Sequence, residues 1–65
     1  MIIKVNGREL EVAETSTIQD VVINSGFKDR LIVVMLNGAV TLRESWSRPL
    51  NSGDTLEIVR VRGGG

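Results

Sequence analysis

Cysteine and histidine, the side chains that most often attack, bind metal or shuttle protons, are both absent from the 65 residues. Without a thiol there is no thiolate nucleophile and no disulfide. A zinc site would rest on carboxylates alone, against the preference of zinc for nitrogen and sulfur. Glu9, Glu11 and Glu14 lie close in sequence but read as a solvated face rather than an acid–base pair. The chain carries no catalytic constellation of its own, and neither a metal nor a bound cofactor is expected on it. What stands out is the run Gly63-Gly64-Gly65. Glycine has no Cβ and takes backbone dihedrals closed to other residues, and three extended residues reach about 10 Å. Such an end can thread a narrow channel while the body stays outside; an inert flexible terminus has the same composition. Ordering it costs about 1–2 kcal/mol per residue, so a delivered tail needs a docking surface on the body. Val59 and Val61, alternating with Arg60 and Arg62, are the candidates beside it. The plainer reading makes the valines core or edge residues and the arginines solvated charges.

The elements that would position this end are short. Residues 1–5 are rich in β-branched side chains and read as a strand. Asn6-Gly7 signals a two-residue hairpin, because both positions tolerate φ > 0. Residues 8–12 form the returning strand, with Leu10 and Val12 as the inward pair. Thr17 with Asp20 three residues on resembles a capping box. Ile18, Val21 and Val22 fall on one helical face, and Gly26 suits the left-handed position after a helix. Val21-Val22-Ile23 is a poor helix former and would suit a strand, but the caps at both ends decide for a helix. Residues 31–36 are continuously apolar, which suggests a strand covered on both faces. Asn37-Gly38 is a second hairpin signal, leading to a short strand at 39–41. Residues 43–47 read as an irregular turn around Trp46, a packing anchor, with Arg43 either paired to Glu44 or solvated. Pro49 fixes a bend, Asn51-Ser52-Gly53-Asp54 is a turn, and residues 55–61 make the last strand.

The order β-β-α-β-β-β gives an α+β domain over residues 1–62, followed by a glycine tail at 63–65. One helix packs across one face of a mixed four- to five-stranded sheet and leaves the other bare. The first and last strands would be parallel and central. Apolar side chains on the bare face would need a partner to cover them.

Eight basic and eight acidic side chains balance, which argues against a phosphate-binding footprint. One Trp, one Phe and no Tyr make a poor stacking platform for single strands. The N-terminus lacks the basic and long apolar regions of a signal peptide, and nothing approaches the roughly 20 apolar residues of a membrane span. Neither nucleic acid nor membrane is expected as a partner, and the chain is expected to be cytoplasmic. A chain of this length buries only about 60% of its unfolded surface, so its stability rests on a small core and well-made turns.

An ordered set of pieces spans nearly the whole chain: Val5-Asn6-Gly7, Thr17 opening the helix, Leu36-Asn37-Gly38, Leu42-Arg43-Glu44-Ser45-Trp46, Leu50-Asn51-Ser52-Gly53-Asp54, and Glu57-Ile58-Val59-Arg60 ending in the three glycines. No piece is specific alone. Together, at this length, they resemble the thiamine-biosynthesis sulfur-carrier protein family, with the Arg43-to-Trp46 step pointing to the thiazole branch. The resemblance implies a ubiquitin-like β-grasp fold. It also implies that the carboxylate of Gly65, preceded by Gly64 and Gly63, is adenylated by an enzyme related to ubiquitin-activating enzymes. Sulfur from a persulfide donor such as a cysteine desulfurase would then leave a thiocarboxylate for a thiazole synthase. ATP and metal would belong to the activating partner, and this chain would be a protein co-substrate rather than an enzyme. Members usually carry small apolar residues before the glycines; here Val61-Arg62 places a positive charge there. The small subunit of a molybdopterin synthase, another sulfur carrier, a ubiquitin-like modifier of lysines and a plain binding module are the competing readings.

Overall fold

The computed structural model describes residues 1–27 and 31–61. Strand β1 (Ile2–Val5) turns into β2 (Arg8–Glu11), helix α1 (Ile18–Asn24) crosses over, and β3 (Ile32–Leu36) turns into β4 (Ala39–Thr41). A short 3-10 turn (Arg43–Ser45) and a loop lead to β5 (Thr55–Arg60). The sheet order is β2-β1-β5-β3-β4. β1 and β5 run parallel, and every other pairing is antiparallel. The parallel inner pair expected from the crossover is therefore present, with the last strand at the centre.

Local chemistry explains the turns. In both hairpins the Asn and Gly have positive φ, 51° and 84° for Asn6-Gly7 and 51° and 85° for Asn37-Gly38. This is the type I′ geometry whose twist matches that of the flanking strands. The capping box at the start of α1 is complete. Asp20 N–H donates to Thr17 Oγ1 at 3.2 Å, and Thr17 N–H donates to Asp20 Oδ2 at 3.0 Å. Gln19 N–H, which has no partner inside the helix, donates to the Trp46 carbonyl at 2.9 Å, so the segment after β4 finishes the cap. At the other end Gly26 has φ 82°. Its N–H reaches Ile23 O at 3.1 Å, and Phe27 N–H reaches Val22 O at 3.4 Å, the paired bonds of a Schellman motif. These caps hold a seven-residue helix that is too short to stand alone in water.

The core lies between α1 and one sheet face. Ile18, Val21 and Val22 of the helix pack on Ile3, Val34, Leu56 and Ile58 of the strands. Trp46 and Leu50 close the layer. The indole N–H of Trp46 donates to Thr41 O at 3.1 Å, which satisfies its only polar atom where the ring is buried.

Three expectations are refined or corrected. Leu10 pairs with Ile3 and so shares the inward face, but it remains 40% exposed, because β2 is an edge strand and α1 does not reach over it. Val12 packs against the core as expected, and Leu10 and Val12 line an open groove with Val21 and Asn24 of the helix. β3 is covered on one face only. Val34 is buried while its neighbour Val33 is 37% exposed, since the single helix leaves the other face bare. Arg43 lies with its guanidinium carbon 5.0 Å from the centroid of the Trp46 ring, a cation–π contact that the sequence reading did not include.

Candidate functional site

β5 leads to the glycine tail, and its attachment determines how firmly that tail is held. Its neighbours are β1 on one side and β3 on the other. The parallel ladder to β1 is short, with Lys4 opposite Thr55 and Val5 opposite Leu56, because β1 turns away at Asn6. The side chain of Asn6 continues the ladder in its place. Its Oδ1 accepts from Ile58 N–H at 2.8 Å, and its Nδ2 donates to Ile58 O at 3.3 Å. A carboxamide has the same donor and acceptor as a peptide unit, so Asn6 substitutes for the residue β1 lacks.

Asn37 does the matching work at the start of β5. Its backbone N–H donates to Thr55 O at 2.8 Å, and its Oδ1 accepts from Thr55 N–H at 2.9 Å. Its Nδ2 donates to Asp54 Oδ1 at 3.0 Å, and Asp54 Oδ2 accepts from Asn51 N–H at 2.8 Å. β3 secures the rest, from Leu36 opposite Leu56 to Ile32 opposite Arg60. One further bond, Val61 N–H to Leu31 O at 2.8 Å, carries the attachment to the last described residue.

Sequence reading identified both Asn-Gly pairs as turns and missed that each carboxamide grips the strand before the tail. The only available signal was the choice of Asn over Asp at both turns, since only an amide both donates and accepts.

Alternation along β5 sorts the residues proposed for docking. Leu56 and Ile58 point to the core, and Arg60 continues that row. Its guanidinium carbon lies 5.4 Å from the centroid of the Phe27 ring. Val59 and Val61 point to the bare face, where they are 50% and 47% exposed. Val59 sits directly opposite Val33, and Met35 opposite Val40, so these four share one surface. Leu31, joined to Val61, lies at its end. The two valines are thus brought together with further apolar side chains, Arg60 is placed on the opposite face, and Arg62 lies outside the described residues, as do Gly63, Gly64 and Gly65.

Among the described residues no group of acidic side chains is arranged to hold a metal. The described part of the molecule has no thiol. It supplies a central strand gripped along its length and an apolar surface where that strand ends. Val33, Val40, Val59 and Val61 expose apolar side chains there, a candidate interaction site.

A model of the ThiS family matches residues 2–65. A crystal structure of a thiamine biosynthesis protein (ThiS) from Geobacter metallireducens superposes with a TM-score of 0.82 at 29% identity, covering 100% of this chain and 100% of that one. The β-grasp architecture expected from the sequence is therefore present. No curated protein matches the chain.

Proposed function

Because this chain belongs to the ThiS family, we propose that it is a sulfur carrier of thiamine biosynthesis whose reacting group is the carboxylate of Gly65. A carboxylate is a poor acyl donor, because its charge repels nucleophiles. In the proposed reaction a carboxylate oxygen attacks the α-phosphorus of ATP and pyrophosphate leaves, giving a mixed anhydride with AMP. The outer sulfur of a persulfide attacks the acyl carbon and expels AMP. A thiol then attacks the donor's sulfur in the resulting sulfur–sulfur bond, forming a disulfide with the donor and releasing the thiocarboxylate, which passes its sulfur to a thiazole synthase. The activating enzyme supplies ATP, metal and positioning; a cysteine desulfurase is the expected persulfide source. This chain is their co-substrate, and the cytoplasm is where the reading places it. Among the described residues no helix is long and apolar enough to cross a membrane.

The observation that carries the reading is the setting of β5. The strand is central, is held by Asn6 and Asn37, and ends at Arg60, next to Val61 and beside the exposed Val33, Val40 and Val59 and the half-buried Met35. That geometry supports a tail of fixed origin, delivered by a body that docks through its bare face. Covering apolar surface there offsets the entropy lost when the glycines enter a channel.

Intact-mass measurement after incubation with an activating enzyme, ATP and a persulfide donor tests the proposal. The expected change is replacement of one oxygen by sulfur, abolished by deleting Gly64 and Gly65 with the fold unchanged. An unchanged mass with every activating enzyme tried refutes it. Isopeptide linkage of Gly65 to lysines without a thiocarboxylate would assign the chain to the protein modifiers.

A further inference from the structure

The inward row of β5 runs Leu56, Ile58, Arg60. The first two are buried. The third is a cation where the alternation asks for an apolar side chain, and it rests on Phe27 at 5.4 Å. Phe27 is itself fixed: its N–H closes the helix end on Val22 O, and its side chain packs against the core. Arg60 therefore ties the last residue of β5 to the end of α1, immediately before the bond from Val61 N–H to Leu31 O.

We propose that Arg60 and Phe27 form a latch that sets the point at which the tail leaves the sheet, making Arg60 a positioning residue for delivery of Gly65; this rests on the carrier reading above. Strand ends fray unless something beyond the ladder holds them. With the latch closed, the chain is fixed through Val61 and the glycines begin two residues later. With it open, the last inward anchor is Ile58, and only backbone bonds to the β3 side hold residues 59–61. Fraying then moves the point at which the chain leaves the sheet back from Val61, and Val59 and Val61 are held less firmly on the bare face. A partner must order those residues on binding, so the latch acts on encounter and leaves the reaction at Gly65 untouched.

The test uses the full chain with Arg60→Gln and Phe27→Leu, and Arg60→Lys as the conservative variant. Amide hydrogen exchange at Val61 should accelerate roughly two- to fivefold in the first two, the factor expected for a cation–π contact at an exposed site. Exchange at Ile58 should stay unchanged, which shows that the fold is intact. KM for the activating enzyme should rise by a similar factor at constant kcat, and Arg60→Lys should recover both values. Unchanged Val61 exchange in both variants overturns the latch. So does a KM rise without an exchange change, since Arg60 would then act by touching the partner. If the unaltered chain is never activated, the carrier reading falls by itself, and the exchange data still decide the latch.

Discussion

The two faces of the sheet are cut from the same strands and meet opposite conditions. Ile58 and Val34 are almost fully buried under α1, while their chain neighbours Val59 and Val33 stand in solvent. All four are β-branched and apolar; only their parity along the strand differs. Burying such a side chain stabilises by about 1.5–3 kcal/mol, and on the helix side folding has already taken that gain. On the bare side the gain is still available to whatever covers it. The comparison separates two roles that composition merges: the inner row specifies the fold, and the outer row is free for the association proposed above.

Substitution can break this contrast from either side. The largest effect is expected at Leu56, fully buried at the centre of the sheet. Leu56→Ala should cost about 2–5 kcal/mol, a large share of the roughly 3–10 kcal/mol a domain of this size commands. Denaturant titration should show a lower midpoint at unchanged slope. A cost under 1 kcal/mol would mean that the inner face does not carry the fold. Next comes Asn6, which stands between the two faces and serves β5 through its backbone. Asn6→Ala removes both bonds to Ile58 and leaves the ladder groups of that residue without their partners. It should cost about 1–3 kcal/mol and speed exchange at the Ile58 amide; normal Ile58 protection would show that the carboxamide does not extend the ladder. The smallest effect on stability is expected at Val59. Val59→Thr keeps the β-branched shape, so thermal unfolding should move by no more than about 0.5 kcal/mol. Activation by the partner should nevertheless weaken, because a hydroxyl then enters the docking surface. A stability loss as large as that at Leu56 would erase the distinction between the faces.

What the sequence disclosed follows the range of the interactions involved. The Thr17–Asp20 cap, the Gly26 helix end and both Asn-Gly turns are set by residues within a few positions of one another, so their chemistry is visible in a short window. The exposure of Leu10 and the bare outer face of β3 were not legible, because burial depends on where one short helix lies across five strands. The grip of Asn6 on Ile58 spans 52 positions, and a turn motif does not reveal which strand will pass beside it. Of the candidate site, Val59 and Val61 were found by their closeness to the glycines. The opposite direction of Arg60 follows from strand alternation, but its stacking on Phe27 required the helix end and the sheet to be brought together.

The central position of β5 also has a mechanical consequence. A partner that grips the body and draws the chain beyond Val61 loads β5 along its own axis. An edge strand under such a pull can peel away, losing its ladder bonds one at a time. Here the bonds to β3, the short ladder to β1 and both contacts of the Asn6 carboxamide lie across the direction of force. They share the load in shear and must yield together. Tension applied beyond Val61 is thus resisted by the strands on both sides of β5 at once, rather than by a single peeling edge.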